Sequence, residues 1–223
     1  MKQLLIAGAL CALALGAHAQ QHTVYVGGAY IDVHSKADPL AGGSPLENDA
    51  RVDVNDAATV GFGYTYRYSD AYSFEVALGV PPRHHTDGRG QLEGFGQVAS
   101  FKQGGPTVFA NYHFGDASQK LRPFVGAGIN YTHFWDGHNT VAGNWAAGGP
   151  TTLDLKDSWG LAAHGGLTYS IDKHWSLIGT LAYAQVKSDL TATTTAFGGQ
   201  TIVRTTSIDF RPLVYTASVG YTF

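Results

Sequence analysis

Thiol chemistry and strong charge are both missing from this chain of 223 residues. Its one cysteine, Cys11, lies in an apolar amino-terminal segment, so the remainder has no disulfide framework and no thiol nucleophile. Charged residues make up 14 % of the sequence, whereas soluble domains contain about 25 %. A net charge of -3 at pH 7 provides no basic surface for nucleic acid. A disulfide scaffold, a cysteine enzyme and a nucleic-acid-binding protein are therefore excluded.

Long hydrophobic runs are also lacking, since no segment approaches the ~20 apolar residues of a membrane-spanning helix. The apolar run Leu4–Leu15 follows Lys2 and precedes the sequence Ala17-His18-Ala19. A positively charged start, a short apolar run and an A-x-A site together predict a cleaved signal peptide over residues 1–19. The mature protein then consists of one domain, residues 20–223.

Glycine and tyrosine, by contrast, are abundant, with 29 and 12 residues. The carboxyl-terminal segment illustrates their arrangement, because an apolar row that ends on Tyr221 and Phe223 alternates with small polar residues such as Ser218 and Thr222. A strand of a soluble sandwich would instead turn charged residues toward water. An apolar row with aromatic ends, backed by small uncharged residues, is typical of a strand with lipid outside and a lumen inside. The pattern predicts a membrane β-barrel.

Similar alternation recurs in about eight segments of roughly 10 to 14 residues, and eight strands are the smallest number that closes a typical outer-membrane barrel. The predicted strands are His22–Val33, Ala58–Tyr68, Tyr72–Pro82, Pro106–Phe114, Arg122–Trp135, Trp159–Ser170, Trp175–Lys187 and Phe210–Phe223. Their connections alternate between short and long. The short ones are Ser69–Ala71, Gly115–Leu121 and Ile171–His174, and the long ones are Ser35–Ala57, Arg83–Gly105, Asp136–Ser158 and Ser188–Asp209.

This alternation of connection lengths has a direct topological meaning. In outer-membrane barrels the short turns face the periplasm and the long loops face the outside. We therefore predict an all-β fold, an eight-stranded antiparallel transmembrane β-barrel with short periplasmic turns and long extracellular loops. Its predicted location is the outer membrane.

Alternation along the predicted strands also turns a few polar residues into the lumen. Arg67 and Glu75 point inward from neighbouring strands and lie one diagonal step apart, so they are predicted to pair. His164 is predicted to be a hydrogen-bonded lumen residue. Inward glycines such as Gly126 project no side chain and predict open space at several levels.

Several stretches are similar to those of a known family. They are Tyr112-His113-Phe114-Gly115-Asp116, the run from Arg122 to Tyr131, the run from Leu155 to Gly160, and Gly220-Tyr221-Thr222-Phe223. In this order they resemble the outer-membrane protein W (OmpW) family over most of the mature chain, while the first and last long loops match least. The resemblance implies a barrel with a narrow, largely hydrophobic channel for passive movement of small hydrophobic molecules. It implies neither an enzyme nor a cofactor, and the terminal strand ending in Phe223 resembles the signal read by the barrel-assembly machinery.

The resemblance further implies hydrophobic residues that gate the channel. Candidates for this gate and for the apolar mouth above the lumen are Leu46, Val54, Phe95, Phe101, Phe134, Trp135, Leu155 and Trp159. An apolar mouth above a more polar lumen favours an apolar solute, which is expected to enter there and leave sideways through the wall. Small hydrophobic solutes and outer-membrane lipids are the expected partners.

Two other classes of protein are compatible with parts of the sequence. A structural or loop-binding barrel with a closed lumen remains open, because side chains can fill an eight-stranded barrel. A hydrolase would need a nucleophile in contact with His164, but Ser158 and Ser170 lie about six residues, or ~20 Å, along the same strand. Adjacent His84 and His85 point to opposite sides of a strand and do not predict a metal site.

Overall fold

The structure is a computed structural model that describes residues 21–43 and 49–223. The strands in these ranges are β1 His22–Val33, β2 Lys36–Ala37, β3 Ala50–Val54, β4 Ala57–Arg67, β5 Tyr72–Gly79, β6 Arg83–Gly90, β7 Gln97–Gly104, β8 Thr107–His113, β9 Leu121–Asn139, β10 Thr151–Leu155, β11 Ser158–Ser170, β12 Trp175–Ala184, β13 Lys187–Thr195, β14 Thr201–Asp209 and β15 Pro212–Thr222. A 3-10 helix spans Glu93–Phe95 and an α-helix, α1, spans Val141–Ala147. Neither these helices nor any other in the two ranges is long and apolar enough to cross a membrane.

Eight of the strands close into an antiparallel barrel. Their order around the wall is β1, β4, β5, β8, β9, β11, β12 and β15, and β15 pairs with β1 to close the ring. These are the eight strands predicted from alternation, so the predicted fold class is confirmed. The longest barrel strand, β9, runs on to Asn139, beyond its predicted end at Trp135, because it continues into structure above the barrel.

The outside of the barrel carries the apolar rows. The alternating side chains of these rows are exposed, as in Val26, Phe74, Leu161 and Val219. Aromatic residues stand at the ends of the rows, with Trp175 against Tyr221 and Tyr131 against Trp159. An apolar band bounded by aromatic side chains matches the lipid-contacting surface of an outer-membrane barrel.

The long connections, predicted as loops, are mostly regular structure. Their strands pair with one another and with the end of β9, and they form a sheet above the barrel that is joined to it through β9. This part is here called the extension and consists of β2, β3, β6, β7, β10, β13 and β14. Helix α1 packs against β7, and its Gly143 lies so close to the strand that a Cβ there would stand 1.9 Å from the carbonyl oxygen of Val98. The extracellular side of the protein is therefore a continuation of the wall.

The strands of the extension are not evident from the sequence, because many of their buried residues are polar. Thr194 and His84 are 0 % exposed, and Thr86 and Thr206 are also buried. Thr194 lies 2.8 Å from Thr151 through their hydroxyl oxygens, and Thr206 donates to the carbonyl of Asp38. Because the buried row is hydroxyl-rich, apolar and polar residues do not alternate in the way that identifies a half-buried strand.

Glycines that face the lumen make room for neighbouring side chains. A Cβ at Gly126 would stand 2.1 Å from Oδ1 of Asn111 and 2.6 Å from Nε2 of His164. A Cβ at Gly63 would stand 2.4 Å from the ring of Tyr25. The open space predicted at these glycines is therefore occupied, because large side chains from adjacent strands lie flat across them.

We expect Gly126→Val to destabilise the barrel by about 1–3 kcal/mol, the usual cost of overpacking a filled interior. The added side chain would displace Asn111 and His164, whereas a Cβ at the outward Gly28 would meet no atom within 4 Å, so Gly28→Val is the matched control. Urea unfolding in lipid vesicles measures both variants. Equal stability of the two would contradict the close packing of Asn111 and His164 around Gly126.

Candidate functional site

An apolar cluster lies where the barrel meets the extension. This cluster, here called the mouth cluster, consists of Val54, Phe101, Phe134, Leu155, Val186, Leu190, Ile208 and Phe210. Ile208 and Phe210 are 1 % exposed. The ring of Phe210 lies 5.3 Å from that of Phe134 and 5.9 Å from that of Phe101, measured between centroids. These contacts close the extracellular end of the lumen with packed side chains.

The structure separates the eight predicted mouth residues into two groups. Val54, Phe101, Phe134 and Leu155 belong to the mouth cluster. The predicted placement of the others differs: Trp135 stacks on His133, Phe95 is 42 % exposed on the 3-10 helix, and Trp159 is 73 % exposed on the outer wall. Trp159 therefore does not face the lumen, because its position in β11 has outward parity. Leu46 lies outside the described residues.

Sequence reasoning missed half of the mouth cluster. Val186, Leu190, Ile208 and Phe210 come from the last long connection and its flanks. The signal that could have found them is a period of two. Val186, Ser188 and Leu190 are buried, and the residues between them are exposed.

A polar layer crosses the lumen at mid-height. The hydroxyl of Tyr25 donates to Oε1 of Glu75 at 2.6 Å, and the amide of Asn111 donates to Oε2 at 2.8 Å. Nε2 of His164 lies 2.7 Å from Oδ1 of Asn111 and 4.0 Å from Glu75. The imidazole also stacks on Phe109, with 3.8 Å between ring centroids. Hydrogen-bonded polar groups in a confined interior are costly to separate, so this layer, here called the lumen plug, forms a polar constriction of the lumen.

The predicted pairing of Arg67 with Glu75 is not formed. Across the hairpin Thr65 faces Glu75 and Arg67 faces Ser73, and no ion pair in the described part of the chain joins the two charges. Nearer the periplasm, Arg122 donates to the carbonyls of Asp70, Phe114 and Gly115. The carboxylate of Glu75 accepts its hydrogen bonds from two neutral donors, Tyr25 and Asn111, instead of from Arg67.

Space remains in the barrel despite the plug. A cavity of about 630 Å³ lies within the barrel, which is within the range of pockets that hold small molecules. Its lining includes Asn130 and Val186 toward the extracellular side and Glu75 and His164 in the plug, and it continues to Asp70 and His174 at the periplasmic turns. It also includes Leu78, Pro81 and Gly104, which belong to the wall.

At that point the wall is interrupted. Strands β5 and β8 pair as far as Ala77 and Thr107, and pairing resumes only at Arg83 and Lys102 in the extension. Residues 78–82 and 103–106, here called the wall gap, exchange no backbone hydrogen bond with each other in the described structure. Val80 N–H donates to the carbonyl of Val60 instead, on the side away from the gap.

The sequence explains the interruption. Pro81 and Pro82 have no N–H group, so this edge has no donor for a partner strand at these two positions. Contact across the gap is made by van der Waals packing, since a Cβ on Gly104 would stand 3.1 Å from Cγ of Pro81. Leu78 and Val80 line the cavity and are also 37 % and 52 % exposed, so the wall between the cavity and the outer surface is one residue thick here.

Charged residues border the extracellular end of the gap. Arg83 donates to the carboxylate of Asp136, and Nζ of Lys102 lies 3.6 Å from the same carboxylate. The hydrogen bond from Arg83 lowers the pKa of Asp136 below its usual value. No group of three or more His, Cys, Asp or Glu side chains in the described ranges is arranged to hold a metal ion.

A closed eight-stranded barrel with an apolar outer band, short turns at one end and an extension at the other defines an outer-membrane β-barrel. The model of the OmpW family matches residues 20–223. The chain therefore belongs to the OmpW family, is located in the outer membrane and is not an enzyme.

Individual relatives agree with this assignment. Outer membrane protein W of Vibrio cholerae is 33 % identical over 180 residues, which cover 80 % of this chain and 79 % of the relative. Outer membrane protein W of Escherichia coli is 35 % identical over 181 residues, covering 81 % and 80 %. The crystal structure of OprG from Pseudomonas aeruginosa superposes with a TM-score of 0.81 at 26 % identity, covering 92 % of this chain and 97 % of that chain.

Opening the lumen plug is expected to raise ion conductance. His164→Ala would remove the ring between Phe109 and Phe124 and a partner of Asn111. We expect a several-fold higher single-channel conductance in planar bilayers than for the native barrel. Thr168→Ala, another inward position on β11, is the control and should conduct like the native protein. An unchanged conductance of the His164 variant would show that another constriction limits ion flow.

Proposed function

We propose that this barrel is a passive conduit for small hydrophobic molecules, which enter through the mouth cluster and leave sideways through the wall gap. The observation that carries the proposal is the wall gap itself, where the two edges beside the lumen cavity have no backbone hydrogen bonds between them.

The chemistry of the route favours an apolar solute. The mouth cluster presents aliphatic and aromatic side chains, which attract apolar surface without directional demands. Ions and strongly polar solutes would lose hydration there without compensation. The route therefore selects by polarity at its entrance.

The polar lumen plug favours a sideways exit for an apolar solute. Tyr25, Glu75, Asn111 and His164 satisfy one another below the gap, and separating them would leave buried polar groups unpaired. Parting Pro81 from Gly104 breaks only van der Waals contacts. The least costly exit for an apolar solute is thus through the wall and into the membrane.

A structural or loop-binding barrel with a closed lumen is the second candidate. The tight burial of the mouth cluster favours it, because Phe210 and Ile208 are as enclosed as residues of a static core. In that case the wall gap would be a passive packing defect, and fixing it in place would have no effect on uptake.

A disulfide across the wall gap tests the conduit. In Pro81→Cys/Gly104→Cys the two Cβ atoms would stand about 3.4 Å apart, close to the spacing of a disulfide. We expect oxidation to reduce uptake of a small apolar dye by cells carrying the barrel to about the level of cells without it. Reduction should restore uptake, because breaking the bond lets the edges part.

The single variants Pro81→Cys and Gly104→Cys are the controls, since neither forms the bond. The only native cysteine, Cys11, lies within the predicted signal peptide, so no competing thiol is expected. Equal uptake by the oxidised and reduced double variant would contradict lateral exit and favour the closed barrel.

A further inference from the structure

Gln103 is the first residue of one edge of the wall gap. It lies at the end of β7, directly before Gly104, and lines the lumen cavity. Its amide nitrogen Nε2 is 2.9 Å from Nε2 of His84. The side chain therefore stands where a solute would turn from the lumen toward the gap.

The protonation of His84 fixes the direction of this contact. His84 is 0 % exposed, and burial lowers its pKa, so the imidazole is neutral at pH 7. Its Nδ1 lies 2.9 Å from the carbonyl oxygen of Asn55, an acceptor only, so Nδ1 carries the proton. Nε2 is then an acceptor and receives the N–H of Gln103.

This orientation leaves the amide oxygen of Gln103 without a donor. Oε1 is buried and has no hydrogen-bond partner in the described part of the chain. Turning the amide over would place Oε1 against the lone pair of Nε2 of His84, so the histidine holds the oxygen in its unpaired position. A buried acceptor without a donor is costly, and such atoms are rare in native structures.

Other polar groups of the upper cavity are paired among themselves. Asn130 donates to Thr107 at 2.8 Å and accepts from Thr132 at 2.8 Å, and Thr59 donates to the carbonyl of Val80. Three buried side-chain atoms in the described ranges lack a partner, and of their residues Gln103 is the one that lines the cavity.

We propose that Oε1 of Gln103 accepts a hydrogen bond from the solute, so that the conduit prefers apolar molecules carrying one hydroxyl or N–H donor, such as apolar alcohols and phenols. The inference rests on the proposed conduit and names its solute class. A pure hydrocarbon leaves Oε1 unpaired. An anionic carboxylate has no donor to offer and meets the negative charge of Glu75 in the same cavity.

His84 acts here as a positioning residue. Its ring stacks on Phe101, with 5.7 Å between centroids, so the same side chain contacts the mouth cluster and orients the amide at the gap. A solute that displaces Phe101 on its way in therefore passes next to the acceptor.

Uptake of a matched pair of probes tests the preference. The pair is a phenylalkane and the phenylalkanol of equal chain length, supplied to cells carrying native barrel, Gln103→Met or Gln97→Met. Methionine keeps the length of Gln103 and removes its acceptor, and Gln97 is an exposed residue of the same strand. We expect Gln103→Met to lower the alcohol-to-hydrocarbon uptake ratio about 5-fold, the effect of one neutral hydrogen bond, and Gln97→Met to leave it unchanged.

The outcomes separate this inference from the conduit itself. An unchanged ratio in Gln103→Met, or an equal loss of both probes, would overturn the preference while leaving conduction standing. Failure of the native barrel to take up either probe would overturn the conduit. In that event, binding of the phenylalkanol to the purified barrel in micelles decides: tighter binding by native protein than by Gln103→Met supports the acceptor, and equal binding overturns it.

Discussion

The backbone of a chain that crosses a membrane must satisfy its own hydrogen bonds, because lipid offers no donors or acceptors. This constraint closes the eight strands into a ring, fixes the outward parity of the apolar residues and leaves the terminal strand β15 paired with β1. It also gives the wall gap its significance. An edge that contains Pro81 and Pro82 has fewer donors to satisfy, so the ring can be interrupted there at little cost.

The mouth cluster and the lumen plug are held together by different kinds of interaction. The mouth cluster is held by apolar contacts, which are individually weak, lack direction and can re-form around an apolar guest. The lumen plug is held by directional hydrogen bonds around Glu75, and a guest that parted them would have to replace each bond. In the proposed conduit, the mouth cluster therefore admits hydrophobic solutes and the lumen plug opposes their passage. The gap lies between the two, so this difference directs an apolar solute toward the gap.

The barrel was predictable from the sequence and the extension was not, for related reasons. Lipid requires apolar residues on the outer face, so rows such as Val60, Phe62 and Tyr64 reveal the strand period. The extension has water outside and partly polar contacts inside. Because buried positions such as Thr194 and His84 are polar, the strand period of two does not show there as alternation of apolar and polar residues. Mouth residues on β7 and β9 were recognised by their aromatic character. Phe210 was assigned to the terminal strand, and its contacts with Phe101 and Phe134 depend on long-range pairing.

The wall gap is bounded at both ends, and in the proposed conduit these boundaries limit the size of the solute. Pairing of Ala77 with Thr107 closes it toward the periplasm, and pairing of Arg83 with Lys102 closes it toward the outside. The five residues 78–82 span about 16 Å at ~3.3 Å per residue, and the width depends on how far Pro81 can move from Gly104. Because both ends stay hydrogen-bonded, the edges can bow apart and cannot separate. A slender apolar molecule fits such an opening, whereas a lipid with several acyl chains would require the flanking pairs to break.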